Sequence, residues 1–304
     1  MSDKIERTFT VGAGAALRLN NPSGAVSILG GTEGQIQVQA AKQGSDEDRA
    51  NTEIIFQQDR DRLHVETRSH GHRGCSVRYE VRVPVRCDVE ARTASGAMHA
   101  ENLNGTITLE SASGAITGME IEGQTQLHAA SGYINVERLS GTLEVHNASG
   151  NVVVRNSRVR SFVAHSASGD VEIHSPLSPG GTYTAHLASG SFRLFVPATT
   201  GAHVSLHTAS GRAQSSLPNT IARVERGHWA GDIGDGGAQI EAHTASGSLS
   251  IEPEGEAVNS VLQTESTWTA ASVYSSTTAV LEALQRGELT LDDAMTRLAA
   301  MEQP

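Results

Sequence analysis

The tripeptide Ala-Ser-Gly occurs eight times in the chain, with its serine at Ser95, Ser113, Ser131, Ser149, Ser168, Ser189, Ser210 and Ser246. The intervals are 18, 18, 18, 19, 21, 21 and 36 residues, the last being twice the first. A second glycine follows nine residues after the first in three consecutive copies, at Gly105, Gly123 and Gly141. Self-similarity at such a short period means that no unit can bury an apolar face alone, so units must stack. Each reads as two short strands joined by tight turns.

Side-chain alternation supports strands. Three and five residues after the serine come Met98/Ala100, Ile134/Val136, Val152/Val154, Val171/Ile173, Phe192/Leu194 and Leu249/Ile251. Four before it come Leu109, Leu127, Val145, Ala164, Ala185, Leu206 and Ala242. Apolar positions two apart on both arms place one face of each strand inside. Between the arms, small residues turn a corner where glycine can take a positive φ. The expectation is an all-β chain: a single-stranded β-solenoid of 18–21-residue rungs, each about 4.8 Å from the next. Composition agrees with thin rungs. Aromatic residues are 4% of the chain and apolar residues 38%, so Val, Ile, Leu and Ala must fill the core.

The pattern divides the chain. Residues 1–92 read as an N-terminal β cap: NPSGAVSILGG and QIQVQAAK form another strand–turn–strand copy, and EIIFQQ, RLHVETR and SVRYEVRVPV form longer strands. A cap is needed because an open rung is an unpaired edge. Residues 93–252 are the solenoid, with residues 212–245 expected to be one degenerate rung carrying the loop GDIGDGG. Residues 253–277 read as a Ser/Thr-rich acidic linker. Residues 278–304 read as a short helical hairpin: Gly287 ends the first helix, and Thr290 with Asp293 caps the second. Its apolar stripe, Leu281, Leu284, Leu291, Met295 and Leu298, is a candidate docking face.

The formal charge of −11 is uneven. From Glu252 onward nine acids face only Arg286 and Arg297, a net of −7 that leaves −4 for the preceding residues. That excludes a uniformly basic nucleic-acid sleeve but not a local basic patch. No apolar run reaches signal-peptide or membrane-span length. Cys75 and Cys87, twelve residues apart, form no metal-binding spacing. A soluble, reducing compartment, the cytoplasm, is the simplest reading, with a Cys75–Cys87 disulfide as the alternative.

The strings NPSGAVSILGG, VRYEVRVPV running into DVEARTASGAMHAENLNGTITLESASGAI, and GDGGAQIEAHTASGSLSI resemble the bacterial β-strand-repeat proteins described as candidate adhesins, the toast-rack family. The tail TTAVLEALQRGELTLDDAMTRLAAM resembles the bihelical SHOCT-like segment often attached to them. The resemblance implies a bacterial β-solenoid without accepted enzymatic chemistry, linked in some lineages to envelope-stress systems. The chain departs from that pattern in lacking a membrane-anchoring helix.

The sharpest candidate site is histidine. Six of thirteen stand three residues before the repeated serine, His128, His146, His165, His186, His207 and His243, with Arg92 and Glu110 in the two earlier rungs. Next to an inward position, this column should face outward as a surface ladder. One reading is a metal-binding or pH-sensing stripe; the simpler one is a solvent-facing residue copied by the repeat. Neighbouring rungs offer an ion two imidazoles at best, fewer than the three or four ligands a metal wants, and no acid recurs beside them. Eight equivalent serines without a GxSxG elbow read as turns rather than nucleophiles. Gly12-Ala13-Gly14 lacks the rest of a phosphate loop. Asp232 and Asp235 form a weak calcium candidate, occurring once.

Arginine forms the other constellation. Nine arginines against seven acids lie between Arg49 and Arg92, including Arg68, Arg73 and Arg78, and a second group is Arg155, Arg158 and Arg160. The guanidinium fork suits phosphate, although charged outward faces of strands explain the same residues. Two functions follow. The first is a non-enzymatic scaffold binding a protein partner through its long flank and C-terminal helices, with self-assembly through solenoid ends or those helices. The second is a DNA-binding accessory protein using the arginines. No convergent acid–base set points to an enzyme, and no pattern calls for a cofactor.

Overall fold

The computed structural model describes residues 3–70 and 74–254. These form 23 strands and one five-residue helix, Asp46–Ala50, in a single unit ending at Pro253. The linker and helical hairpin expected beyond it, with Leu281, Leu284, Leu291, Met295 and Leu298, lie outside the described residues, as does Arg73.

The repeated serines form one ladder. Ser95 pairs with Ser23 on one side and Ser113 on the other, and the register runs on through Ser131, Ser149, Ser168 and Ser189. A second ladder behind it joins Val26, Met98, Ile116, Ile134, Val152, Val171, Phe192 and Leu249. Both are parallel, as stacking of like rungs requires. Leu109, Leu127, Val145, Ala164 and Ala185 from the first sheet meet Ile134, Val152, Val171 and Phe192 from the second in one continuous core. Each fully buried Val, Leu or Ile stabilises by roughly 1.5–3 kcal/mol over exposure. The architecture is an open, unclosed β-solenoid sheet.

Two corners shape each rung. At the Ser-Gly corner glycine is required: Gly132 has φ +135°, and a Cβ there would lie 2.2 Å from the carbonyl oxygen of Gly114 one rung away. The opposite corner needs a single left-handed residue, supplied by Asn102 (φ 56°), Glu120 (55°), Arg138 (55°) and Asn156 (51°), spaced by 18.

Irregular intervals have local causes. The 19-residue rung carries a bulge: Gly141 pairs with Val159 but Thr142 with Ser161, leaving Arg160 out of register. In the next rung the surplus falls between the strands Val171–His174 and Thr182–Ser189. Tyr183 fills the widened space, its Oη donating to the carbonyl of Val159 and accepting from the amide of Ser178.

The expectation for residues 212–245 is corrected by the pairing. The strand Ala238–Ser246 inserts between Thr182–Ser189 and Ala202–Ser210, so the stacking order is Ser189, Ser246, Ser210. Residues Asn219–Glu225 and His228–Ile233 form an antiparallel hairpin instead of a rung, and the second of these strands closes the stack against Ala202–Ser210. Trp229 and Leu217 are buried there. At the other end, Asp3–Thr10 and Gln35–Gln43 close one sheet, and the hairpin Thr52–Asp59/Arg62–Ser69 the other, all antiparallel except where Arg62–Ser69 meets the first rung. Antiparallel pairing stops the copying of rungs at the N-terminal end of both sheets and at the C-terminal end of the first, while the second ends on Ala213–Ser215, parallel to Leu249–Pro253.

Cys75 and Cys87 are free buried thiols rather than a disulfide. Burial pushes the Cys87 thiol up to about 12 and the Tyr79 hydroxyl likewise to about 12.

Candidate functional site

Because equivalent positions are in register, the histidines three before each serine fall on one line. Their rings stack: His128 on His146 at 4.8 Å between centroids, His146 on His165 at 4.9 Å, His165 on His186 at 5.3 Å, and His186 on His243 at 5.5 Å. These planes lie between 4° and 18° of parallel. His207 ends the column, 5.9 Å from His243 and tilted 52°, with His228 of the closing hairpin edge-on at 6.0 Å. The spacing is that of the strands, so the backbone dictates the stack.

Protonation of such a column is opposed by its own geometry. Two unit charges 5 Å apart repel by about 1 kcal/mol in water and about 3 kcal/mol at an effective dielectric of 20. Burial, then the neighbouring His146, hold His128 below the ordinary imidazole range. The same two causes lower His165, with His186 adding to them. Carboxylates do stand beside two of the rings, contrary to expectation: His146 Nε2 donates to Glu144 at 2.8 Å, and His243 Nε2 to Glu241 at 2.9 Å. The His146 contact, more than any other, lowers the Glu144 carboxyl.

A metal does not fit the stack. Zinc–nitrogen bonds of about 2.0–2.1 Å need ring nitrogens that converge. Parallel rings 4.8–5.5 Å apart point their lone pairs side by side. Among the described residues no group of three or more His, Cys, Asp or Glu is placed to hold an ion. Asp232, from the calcium candidate, instead accepts from His203 Nδ1 at 2.6 Å.

Beside the ladder runs a groove of about 1200 Å³. It starts at Asn20 and Glu66, passes Arg92 and Glu110, and follows His128 to His186, with Ala94, Ala112, Ala130, Ala148, Ala167 and Ala188 lining it. The alanine before each serine drops out of the paired register, as Ala130 does between Ala129↔Asn147 and Ser131↔Ser149. Small exposed methyls next to tall imidazoles make the trough.

Sequence reading missed the layer beneath. Two residues before the serine the chain carries Asn21, Thr93, Ser111, Asn147, Ser166, Thr208 and Thr244, all buried. Several donate to carbonyls of corner glycines: Asn147 Nδ2 to Gly150 at 2.6 Å, Thr208 Oγ1 to Gly247 at 3.0 Å, Thr244 Oγ1 to Gly190 at 3.3 Å. The recurrence of Asn, Ser and Thr there was the available signal.

The arginines are not gathered into one surface. Arg68 Nη2 donates to Glu66 at 2.8 Å, and Arg155 lies 3.5 Å from Glu172. Arg78, Arg158 and Arg160 are exposed and make no ion pair among the described residues. Six strand steps, about 29 Å, separate the strand of Arg68 from that of Arg158. No repeated serine bonds a histidine among the described residues. In the Gly12 loop, the amide of Gly12 already donates to Asp61 at 2.6 Å, so a carboxylate occupies the place of a phosphate.

A candidate adhesin of Bacteroides fragilis is 15% identical over 83% of this chain and 97% of its own, with a TM-score of 0.48. One from Parabacteroides distasonis is 8% identical, covering 82% and 97%, with a TM-score of 0.42. A candidate cell adhesion protein of Clostridium sporogenes is 10% identical, covering 83% and 100%, at 0.30. No curated protein matches the chain. Residues 15–252, from the first rung into the last described strand along the chain, match the family described as Toastrack DUF4097, and the chain belongs to that family.

Proposed function

We propose that this protein is a non-catalytic β-solenoid scaffold that binds a protein partner along the grooved flank beside the histidine ladder. The observation that carries the reading is the groove itself: a straight trough crossing eight adjacent strands, floored by alanine methyls, with no convergent acid–base set beside it. Extended surfaces of this kind suit binding rather than chemistry. As part of the same proposal, Leu281, Leu284, Leu291, Met295 and Leu298 supply a second docking element, and the setting is a bacterial stress response. The arginine-based DNA reading is the weaker one, because Arg68 and Arg155 face carboxylates in the chain and Arg158 lies six strand steps from Arg68.

A photo-crosslinking residue at Ala148, in the groove, tests the proposal in the native host. A matched one at Asn135, on the other sheet, serves as the control. A protein adduct formed from Ala148 and absent from Asn135 is expected. Equal labelling from both positions would contradict a partner in the groove.

A further inference from the structure

We propose that the histidine ladder is a proton-gated site for a linear polyphosphate chain, beyond and separate from a protein partner at neutral pH. Four observations support this. First, six imidazoles lie on one line at near-constant spacing, so protonation turns a neutral stripe into a row of charges. Second, only two of the six rings in the column, His146 and His243, have a carboxylate of the chain hydrogen-bonded to them. The groups facing it are Arg92 and Glu110, which answer each other at 3.3 Å, Glu144, Glu241, Glu66 at the groove's far end, and His228 beyond His207. His128, His165 and His186 have no carboxylate partner among the described residues. A charged ladder therefore gains from an external anion that spans several rungs.

Third, the rings offer only their edges. Each inner imidazole has both faces covered by its neighbours, so bases cannot stack there as they do on single-strand binding platforms. Ring N–H groups along an edge suit a chain recognised through its anionic oxygens alone. Fourth, the trough beside the ladder is lined by alanine methyls, which leave a narrow bed for an unbranched chain. Burial and neighbouring rings oppose charge on His128 and His165, and an anion laid along the rungs offsets that, so the site takes up protons as the chain binds.

The full-length protein is titrated with long-chain inorganic polyphosphate at pH 7.5 and pH 5.5. Affinity at least tenfold tighter at pH 5.5 is expected, falling with salt and accompanied by proton uptake in calorimetry across two buffers. In His146→Gln/His165→Gln/His186→Gln the gain on acidification should disappear. The double variant His165→Gln/His186→Gln, at exposed positions, should lose part of it and guards against a folding defect in the triple one. Arg158→Ala/Arg160→Ala should keep the gain. Equal affinity at the two pH values, or a full gain in the histidine variants, would overturn the site. Equal competition by orthophosphate at matched phosphate, or by single-stranded DNA, would overturn the assignment to a polyphosphate chain. Neither result bears on the Ala148 adduct, which is read at neutral pH.

Discussion

The imidazole of His128 stacks on that of His146 with centroids 4.8 Å apart and planes 4° from parallel. The two residues are register partners on adjacent parallel strands, and the same offset is copied to His165, His186 and His243. A side chain of no consequence in one rung thus becomes a continuous surface feature.

The stacking order can be read by cross-linking. Ser189 and Ser246 are register neighbours, as are Ser246 and Ser210. Adjacent strands put Cα atoms about 4.8 Å apart, within disulfide reach, whereas two steps exceed the limit of about 7 Å. Ser189→Cys/Ser246→Cys should oxidise to a disulfide without loss of structure. Ser189→Cys/Ser210→Cys should stay reduced, and a bridge there would restore the sequential order.

Corner geometry sets the cost of a single methyl group. Gly132→Ala places Cβ 2.2 Å from the Gly114 carbonyl at a φ of +135°. The expected loss is roughly 2–5 kcal/mol, measured by urea denaturation. A loss below about 1 kcal/mol would mean that the corners are looser than described.

Arg160 is the residue that makes its rung 19 long. Deleting it should bring Val159 and Ser161 into unbroken register, with a stability change within about 1 kcal/mol. Deleting Val163, two residues before His165, should instead reverse the alternation between the deletion and the bulge and unfold the rung. Circular dichroism and denaturation midpoints distinguish the two.

The thiols give a compact test of burial. Cys75 and Cys87 are both buried, and burial pushes the Cys87 thiol up to about 12. An aromatic disulfide reagent at pH 8 should label neither in the native protein and both in guanidinium. Rapid native labelling of Cys87 would contradict the packing around it.

Much of this fold is legible in the sequence because in-register parallel stacking writes itself as a period: the serine ladder from Ser95 to Ser189 and the inward Leu127, Val145 and Ala164 are direct consequences. Order at the C-terminal end is not legible that way. An interval of 36 residues between Ser210 and Ser246 looks like two rungs, yet separation along the chain says nothing about which strands pair. The carboxylates at Glu144 and Glu241 were within reach, since a residue two before a strand position shares its face. They do not stand out as a repeat because only two of six rungs carry them. Arginine numbers misled for the opposite reason: counting charges cannot show that Glu66 and Glu172 already face Arg68 and Arg155.

The most direct test of the ladder is thermal stability against pH. In the folded protein His128 and His165 are held below the ordinary imidazole range, burial being the largest cause. The unfolded chain takes up these protons near pH 6.5, so their contribution to stability is complete above about pH 6.5 and is lost as pH falls toward the lowered folded values. Between pH 8 and pH 5.5 the Tm of the wild-type protein should fall, and that of His128→Gln/His165→Gln should fall by less. A Tm unchanged over that range, or an equal fall in the variant, would contradict a ladder of stacked imidazoles.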